Sequence, residues 1–144
     1  RDVERSRGLG DVYKRQVYRG WDEELYRRYL KKYKLPAKKF IKEYSRGMKM
    51  KLALAAALAH RPRLLILDEP VTGLDPAAAQ DLYRTLAYLN KNEGLAIVMV
   101  THDLQSALQY ADTVLYAGQG KWFHGTTAEY LASPYGRRFG GERT

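Results

Sequence analysis

Two adjacent carboxylates stand where the sequence changes from apolar to polar. Asp68 and Glu69 directly follow the apolar run Leu64–Leu67, and Pro70 comes next. A run of this kind predicts a short strand buried on both faces, with Asp68 at its tip and Glu69 turned to the other side of a cleft. This arrangement suits a division of labour in which one carboxylate holds hydrated Mg²⁺ and the other activates a water.

The polar segment 101–103 stands in the same relation to a second apolar run, Ala96–Val100. Between the two runs the pattern predicts a helix over residues 76–92, with Gly94 just beyond its end. Strand, helix, strand indicates a parallel βαβ unit, whose strands present their carboxyl ends at one edge of the sheet. Taken alone, His102 is typical of a residue at the start of a helix, so a chemical role for it depends on its neighbours.

The remaining periodicity predicts further elements on both sides of this unit. An amphipathic helix begins at Asp22 and ends near Leu35-Pro36, and its Tyr and Leu stripe is predicted to face the core. The other predicted elements are helices over 37–44, 48–60, 104–111 and 127–132, a strand over 113–116 that repeats the βαβ unit, and an edge strand over 121–124.

In order and spacing, these segments resemble the second half of the nucleotide-binding domain of ATP-binding-cassette (ABC) transporters. The resemblance covers residues 18–144 and rests on YSRGM, LLILDEP, GLDP and VTHD. It implies a partial α/β fold of the P-loop NTPase type, in which part of the helical subdomain is followed by parallel βαβ units of the ATPase core. It also implies ATP and Mg²⁺ as cofactors and ATP hydrolysis as the activity.

The resemblance assigns a role to each polar residue of the unit. Asp68 is implied to be the Walker B carboxylate, which binds Mg²⁺ mainly through water, and Glu69 the base that polarises the attacking water. Asp75 is implied to lie in the D-loop, which crosses the interface between two ATPase subunits. His102 is implied to be the switch histidine that reaches the γ-phosphate.

The segment Tyr44–Met48 occupies the place of the family signature, usually written LSGGQ. Ser45, the amide of Gly47 and the first turn of the following Ala-rich helix are predicted to form an anion site that favours a phosphate. The resemblance implies that this phosphate belongs to the ATP of a second subunit. An ordinary N-capped helix is the alternative. Arg46 replaces a glycine of the signature, and we expect its side chain to point away from these amides.

The phosphate-binding loop of such domains has no counterpart in this sequence. None of the 12 glycines begins a G-x-x-x-x-G-K-[ST] motif, so this chain on its own is expected to bind ATP poorly and to be inactive. Residues 1–16 are expected to be a non-native or disordered tail, because they resemble a translated sequencing-adapter fragment. Residues 17–144 are expected to be a truncated domain, with a signature part over 17–60 and a Walker B part over 61–144.

Charge and composition limit the remaining possibilities. Without cysteine, disulfides and thiolate metal sites are excluded. Residues 1–63 carry a net charge of +12 and residues 64–144 a net charge of −3, which favours a polyanion near the first part or simply solvated helix faces. An ABC-type ATPase that acts on nucleic acid or the ribosome is therefore the main alternative, and a non-enzymatic remnant is another.

The resemblance favours a transporter subunit, because the segment after Glu69 reads Pro-Val-Thr-Gly-Leu-Asp. It implies a second ATPase subunit and a membrane-spanning permease as partners, no direct contact with nucleic acid, and a cytoplasmic location at the inner face of the membrane. Residues 18–67 look most like exporter-type or antibiotic-response ATPases, whereas residues 95–144 look like zinc or manganese uptake ATPases. A single protein with both features and an assembly chimera both fit, so the substrate stays open.

Overall fold

The computed structural model describes residues 20–36, 38–118 and 120–140. The chain forms two compact units, of which the first ends at Val100 and the second begins at Thr101. The tail predicted over residues 1–16 lies outside the described residues. The first unit contains the described residues of the signature part together with residues 61–100 of the Walker B part, and the rest of the Walker B part belongs to the second unit. The division into these two parts stays a prediction.

Helices and two strands alternate along the first unit. In chain order its described elements are helix α1 (Glu23–Lys32), a 3₁₀ turn (Ile41–Glu43), helix α2 (Arg46–Leu58), strand β1 (Leu64–Asp68), helix α3 (Pro76–Glu93) and strand β2 (Ala96–Val100). The predicted helices and strands of this unit are thus found within a few residues of their expected ends, apart from the one over residues 37–44.

Helix α1 buries the aromatic stripe that the sequence predicted. Leu25, Tyr29 and Tyr33 are buried, which confirms that this stripe faces the core. The helix begins at a cap, because the carboxylate of Asp22 accepts a hydrogen bond from the Leu25 amide at 2.9 Å. Asp22 also pairs with Arg61, beyond the end of α2, at 2.6 Å, so the start of one helix is tied to the end of the next.

The helix predicted over residues 37–44 is wrong in extent, since only the 3₁₀ turn Ile41–Glu43 forms in the part of the segment that the structure describes. Ile41 and the preceding Phe40 are both more than half exposed, so the segment has no buried face to stabilise a longer helix. A hydrogen bond of 2.8 Å from the Tyr44 hydroxyl to the Pro36 carbonyl fixes the path of this segment.

Helices α2 and α3 form most of the core of the first unit. Helix α2 starts two residues earlier than predicted, because Ser45 caps it, and it buries Leu54 and Leu58. Helix α3 has Pro76 in its first turn and is capped at its C-terminal end by Gly94, whose φ of +67° is the left-handed conformation that glycine adopts without strain.

Strands β1 and β2 pair in parallel, with Leu64 opposite Ala96 and Asp68 opposite Val100. Among the described residues, only one face of the pair is packed. Leu65 and Leu67 are buried, whereas four apolar side chains on the opposite face are about half exposed or more: Leu64, Ile66, Val98 and Val100. The prediction that both faces are buried is therefore wrong for the described residues, because none of them covers the second face.

The second unit is built on an antiparallel hairpin. Its described elements are helix α4 (Leu104–Ala107), strands β3 (Thr113–Gly118) and β4 (Lys121–Thr126), and helices α5 (Thr127–Ala132) and α6 (Pro134–Gly140). The prediction that the strand at 113–116 repeats the parallel unit is wrong, since its hydrogen-bonded partner is β4. Gly120, directly before β4, has a φ of +72°, which glycine adopts without strain. Tyr130 is fully buried and, with Tyr116 and Phe123, forms the aromatic core of this unit.

Candidate functional site

The carboxylate of Asp68 stands at the carboxyl end of β1, as the sequence predicted. Asp68 is the last residue of the strand and lies opposite Val100, the last residue of β2. Its side chain is on the exposed face of the parallel pair and is accessible to solvent. The strand thus presents a single charged oxygen donor at the edge where ligands bind in open parallel sheets.

Glu69 turns sharply away from the strand, and its backbone is strained. Its φ is +45°, a left-handed conformation that residues other than glycine seldom adopt and that costs about 1 kcal/mol or more. Its amide donates to the carbonyl of Val100 at 2.8 Å, which extends the parallel pairing by one residue and fixes the turn. Strain of this kind persists where the surrounding structure enforces it, often at functional positions.

The side chain of Glu69 is held by the turn that it begins. Its Oε2 accepts a hydrogen bond of 3.2 Å from the hydroxyl of Thr72, and its carbonyl accepts one of 3.2 Å from the Thr72 amide. These two bonds fix the carboxylate relative to the backbone. Sequence reasoning missed Thr72, although its position three residues after Glu69 is the spacing that such a turn requires.

Asp75 ends this loop and caps α3. Its Oδ1 accepts a hydrogen bond from the amide of Ala78 at 2.9 Å, and the side chain is exposed. Gly73 gives the loop its bend, with a φ of +72° that suits glycine. The loop therefore places the Asp75 carboxylate at the surface of the first unit, where it also serves as a helix cap.

The predicted anion site at Ser45 and Gly47 forms the exposed first turn of α2. The Ser45 hydroxyl accepts a hydrogen bond from the Met48 amide at 3.2 Å. A methyl group at the Cα of Gly47 would lie 3.4 Å from the Cβ of Ala78, in the first turn of α3. The starts of α2 and α3 are thus in contact, which brings Ser45, Gly47 and Asp75 into one region of the first unit.

His102 belongs to the second unit, so its relation to the carboxylates of the first unit stays a prediction. It is exposed, and its carbonyl accepts a hydrogen bond from the amide of Leu104 at 3.0 Å. The next residue, Asp103, caps α4 by accepting from the amide of Ser106 at 3.2 Å. The histidine therefore precedes a capped helix, as the sequence predicted.

The donor set at the strand end fits a hydrated metal ion and only part of an ATP site. Within the described residues, no group of three or more His, Cys, Asp or Glu side chains could hold a metal directly. Mg²⁺ usually keeps several of its waters and binds proteins through one or two carboxylates, which Asp68 can provide. For ATP, the residues present supply the carboxylates and the start of α2, without a phosphate-binding loop.

No helix in the described part of the chain combines the length and the apolar character that a membrane span requires.

Comparisons with known proteins give a consistent result. Residues 16–107 match the family described as "AAA domain, putative AbiEii toxin, Type IV TA system". The energy-coupling factor transporter ATP-binding protein EcfA2 of Lacticaseibacillus paracasei is 38% identical over 93 residues, which are 64% of this chain and 32% of the relative. The peptide transport system ATP-binding protein SapD of Escherichia coli O6:H1 is 40% identical over 99 residues, which are 67% of this chain and 30% of the relative. The chain spans about a third of the length of these curated relatives.

Solved structures share the fold. CbiO1 of Clostridium perfringens, part of the ABC transporter complex CbiONQ, matches with a TM-score of 0.67 and 29% identity over 83% of this chain and 49% of its own. A dimeric ATP-binding cassette in a post-hydrolysis state, bound to ADP and Pi, matches with a TM-score of 0.58 and 26% identity over 69% of this chain and 44% of its own. The predicted partial α/β fold with a parallel sheet is confirmed.

Proposed function

This chain belongs to the AAA-domain family that it matches and is part of an ABC nucleotide-binding domain, and from this premise we propose that the full-length protein hydrolyses ATP to drive transport by a membrane partner. The observation that carries the proposal is the strand end at Asp68 and Glu69. There, a surface carboxylate is followed by a second one that a strained turn holds in place.

In this proposal the two carboxylates have different roles. Asp68 would hold a Mg²⁺ ion through its waters, and that ion would supply positive charge to the phosphate oxygens of ATP. Glu69 orients a water and accepts its proton at the carboxylate, and the hydrogen bond from Thr72 keeps that carboxylate fixed. His102 contributes a hydrogen bond to the γ-phosphate.

The start of α2 serves a second subunit. The first amides of a helix have no partner within the helix and attract anions, so Ser45 and Gly47 contact the phosphates of ATP held by that subunit. Asp75 lies at the interface between the subunits. A dimeric relative bound to ADP and Pi supports this arrangement.

The partners and location follow from the same relatives. EcfA2 and CbiO1 are named as components of transporters, so we place this protein on a membrane-spanning permease at the cytoplasmic face of the membrane. Direct contact with nucleic acid is not part of the proposal. The 144-residue chain alone is inactive in this proposal, because it contains no phosphate-binding loop.

The test uses the full-length protein that contains this chain. Glu69→Gln keeps the shape of the side chain but removes its basicity, so hydrolysis falls at least about 100-fold while ATP binding is kept. Glu24→Gln is the matched control, since Glu24 is an exposed glutamate in the first turn of α1 and should leave the rate unchanged. Undiminished turnover in Glu69→Gln would remove Glu69 from the role of base.

A further inference from the structure

The guanidinium of Arg46 lies against the Cα of Gly73. A methyl group at that Cα would lie 2.5 Å from Nη1, 2.8 Å from Cζ and 3.2 Å from Nε of Arg46. These three atoms belong to one planar group, so the flat guanidinium covers the position that a side chain would occupy. Arg46 is the residue by which this chain departs from the glycine of the family signature, and its contact leads directly to the loop that ends at Asp75.

The contact between Arg46 and Gly73 lies beside a second contact, between the starts of α2 and α3. Gly47, beside Arg46, packs on Ala78 in the first turn of α3. Ser45 caps α2, and Asp75 caps α3. Backbone contact at Gly47 and side-chain contact at Arg46 therefore join the same two segments at two points.

The position of Arg46 is electrostatically unfavourable for a cation. It is the first residue of α2, where the helix dipole is positive. None of the ion pairs within 4.0 Å among the described residues includes Arg46. Its conformation is therefore not fixed by such an ion pair, and its guanidinium lies on Gly73.

We propose that Arg46 is a positioning residue that braces the loop 72–75 against the start of α2, so that the Ser45–Gly47 turn and Asp75 move as one rigid element. This rests on the proposed function, in which both segments face a second subunit. Gly73 suits this contact for two reasons: its φ of +72° is one that glycine adopts without strain, and the absence of a side chain leaves room for the guanidinium. Lysine at position 46 would keep the charge but lacks the planar group.

The test is a double-mutant cycle of Arg46→Ala and Gly73→Ala in the full-length protein, with the kcat and KM of ATP hydrolysis as readouts. Gly94→Ala is the matched control, because Gly94 has a φ of +67° and no other atom lies within 4 Å of the position of an added methyl group. It therefore measures the cost of backbone strain alone.

We expect Arg46→Ala to lower kcat about three- to tenfold with little change in KM, since the ATP bound by the partner keeps its other contacts. Gly73→Ala should lower kcat more than Gly94→Ala does, because it also displaces the guanidinium. The double variant should be no slower than Gly73→Ala alone, as both changes remove the same contact. Arg46→Lys should lower kcat about as much as Arg46→Ala does, because lysine lacks the planar group.

Two kinetic results would overturn the proposal. One is independent effects on kcat that multiply in the double variant, and the other is full activity in Arg46→Lys, which would mean that charge alone matters. The same double-mutant cycle is repeated with the midpoint of thermal unfolding as the readout. If the wild-type full-length protein does not hydrolyse ATP, the proposed function fails, whereas the unfolding cycle still decides whether Arg46 and Gly73 are coupled. Additive shifts of that midpoint would also overturn the proposal.

Discussion

Asp75 caps a helix and is proposed to lie at a subunit interface, and substitutions can separate these two roles. In the structure its Oδ1 accepts the Ala78 amide at 2.9 Å and caps the 18-residue helix α3. Loss of such a cap costs about 1 kcal/mol, and a carboxylate near a helix N-terminus adds about 0.3–1 kcal/mol. We therefore expect Asp75→Ala to lower the free energy of unfolding by about 1.5 kcal/mol, and Asp75→Asn, which keeps an acceptor, by about 0.5 kcal/mol.

For a chain of this length, a change of 1 kcal/mol shifts the midpoint of thermal unfolding by about 4 °C. Thermal melting followed by circular dichroism should include the two variants and Asp75→Ser, which also caps the helix without a charge. The midpoint should be highest for the wild type, lower for Asn and Ser, and lowest for Ala. In the full-length protein, all three variants should lose hydrolysis if the carboxylate acts at a subunit interface. Equal midpoints for Ala and Asn would refute the capping argument, since the two variants differ in the acceptor.

Three further outcomes follow from the described residues. The isolated 144-residue chain should show no micromolar affinity for Mg-ATP in calorimetry, and such an affinity would contradict the assignment of most phosphate contacts to a segment outside it. The double variant Ile66→Thr/Val98→Thr should reduce self-association of the isolated chain in light scattering, because both side chains are more than half exposed. The control Leu65→Ala changes the buried face, so it should lower the free energy of unfolding by about 2–4 kcal/mol without reducing association. The hydrogen bond from the Leu25 amide, together with Arg61, holds the pKa of Asp22 below its usual value. The ionised Asp22 therefore stabilises the fold at a pH above that usual value, and this stabilisation is lost as the pH falls through the lowered pKa. Acid unfolding monitored by circular dichroism should accordingly depend less on pH in Asp22→Asn.

Local signals predicted the elements that carry the site. Ser45 and Asp75 cap α2 and α3 at the positions that residue type and spacing favour, and the run Leu64–Leu67 is a strand that ends at Asp68. Caps and short strand ends depend on residues within three or four positions, which is why one sequence suffices to place them.

Features that depend on distant contacts could not be predicted in this way. An apolar run such as that of β1 has the same residue pattern whether one or both faces of the strand are covered. The sequence around Ile66 therefore contains nothing that predicts its exposure. The positive φ of Glu69 depends on its bond to Val100, 31 positions away. The packing of Arg46 on Gly73 likewise requires the folded contact between two helix starts.

The left-handed backbone at Glu69 also has a consequence for genetics. A single nucleotide change converts either glutamate codon into a glycine codon, and glycine adopts a φ of +45° without steric cost. Mutation therefore supplies, at the smallest possible step, the residue that this backbone position prefers. For folding, this change would remove the hydrogen bond from Thr72 and add chain entropy to the unfolded state, but it would relieve the backbone strain. Selection against it is therefore expected to act mainly through the chemistry of the carboxylate. We expect glycine at this position to accumulate in lineages in which ATP turnover is no longer under selection, and to be rare in those that still depend on it.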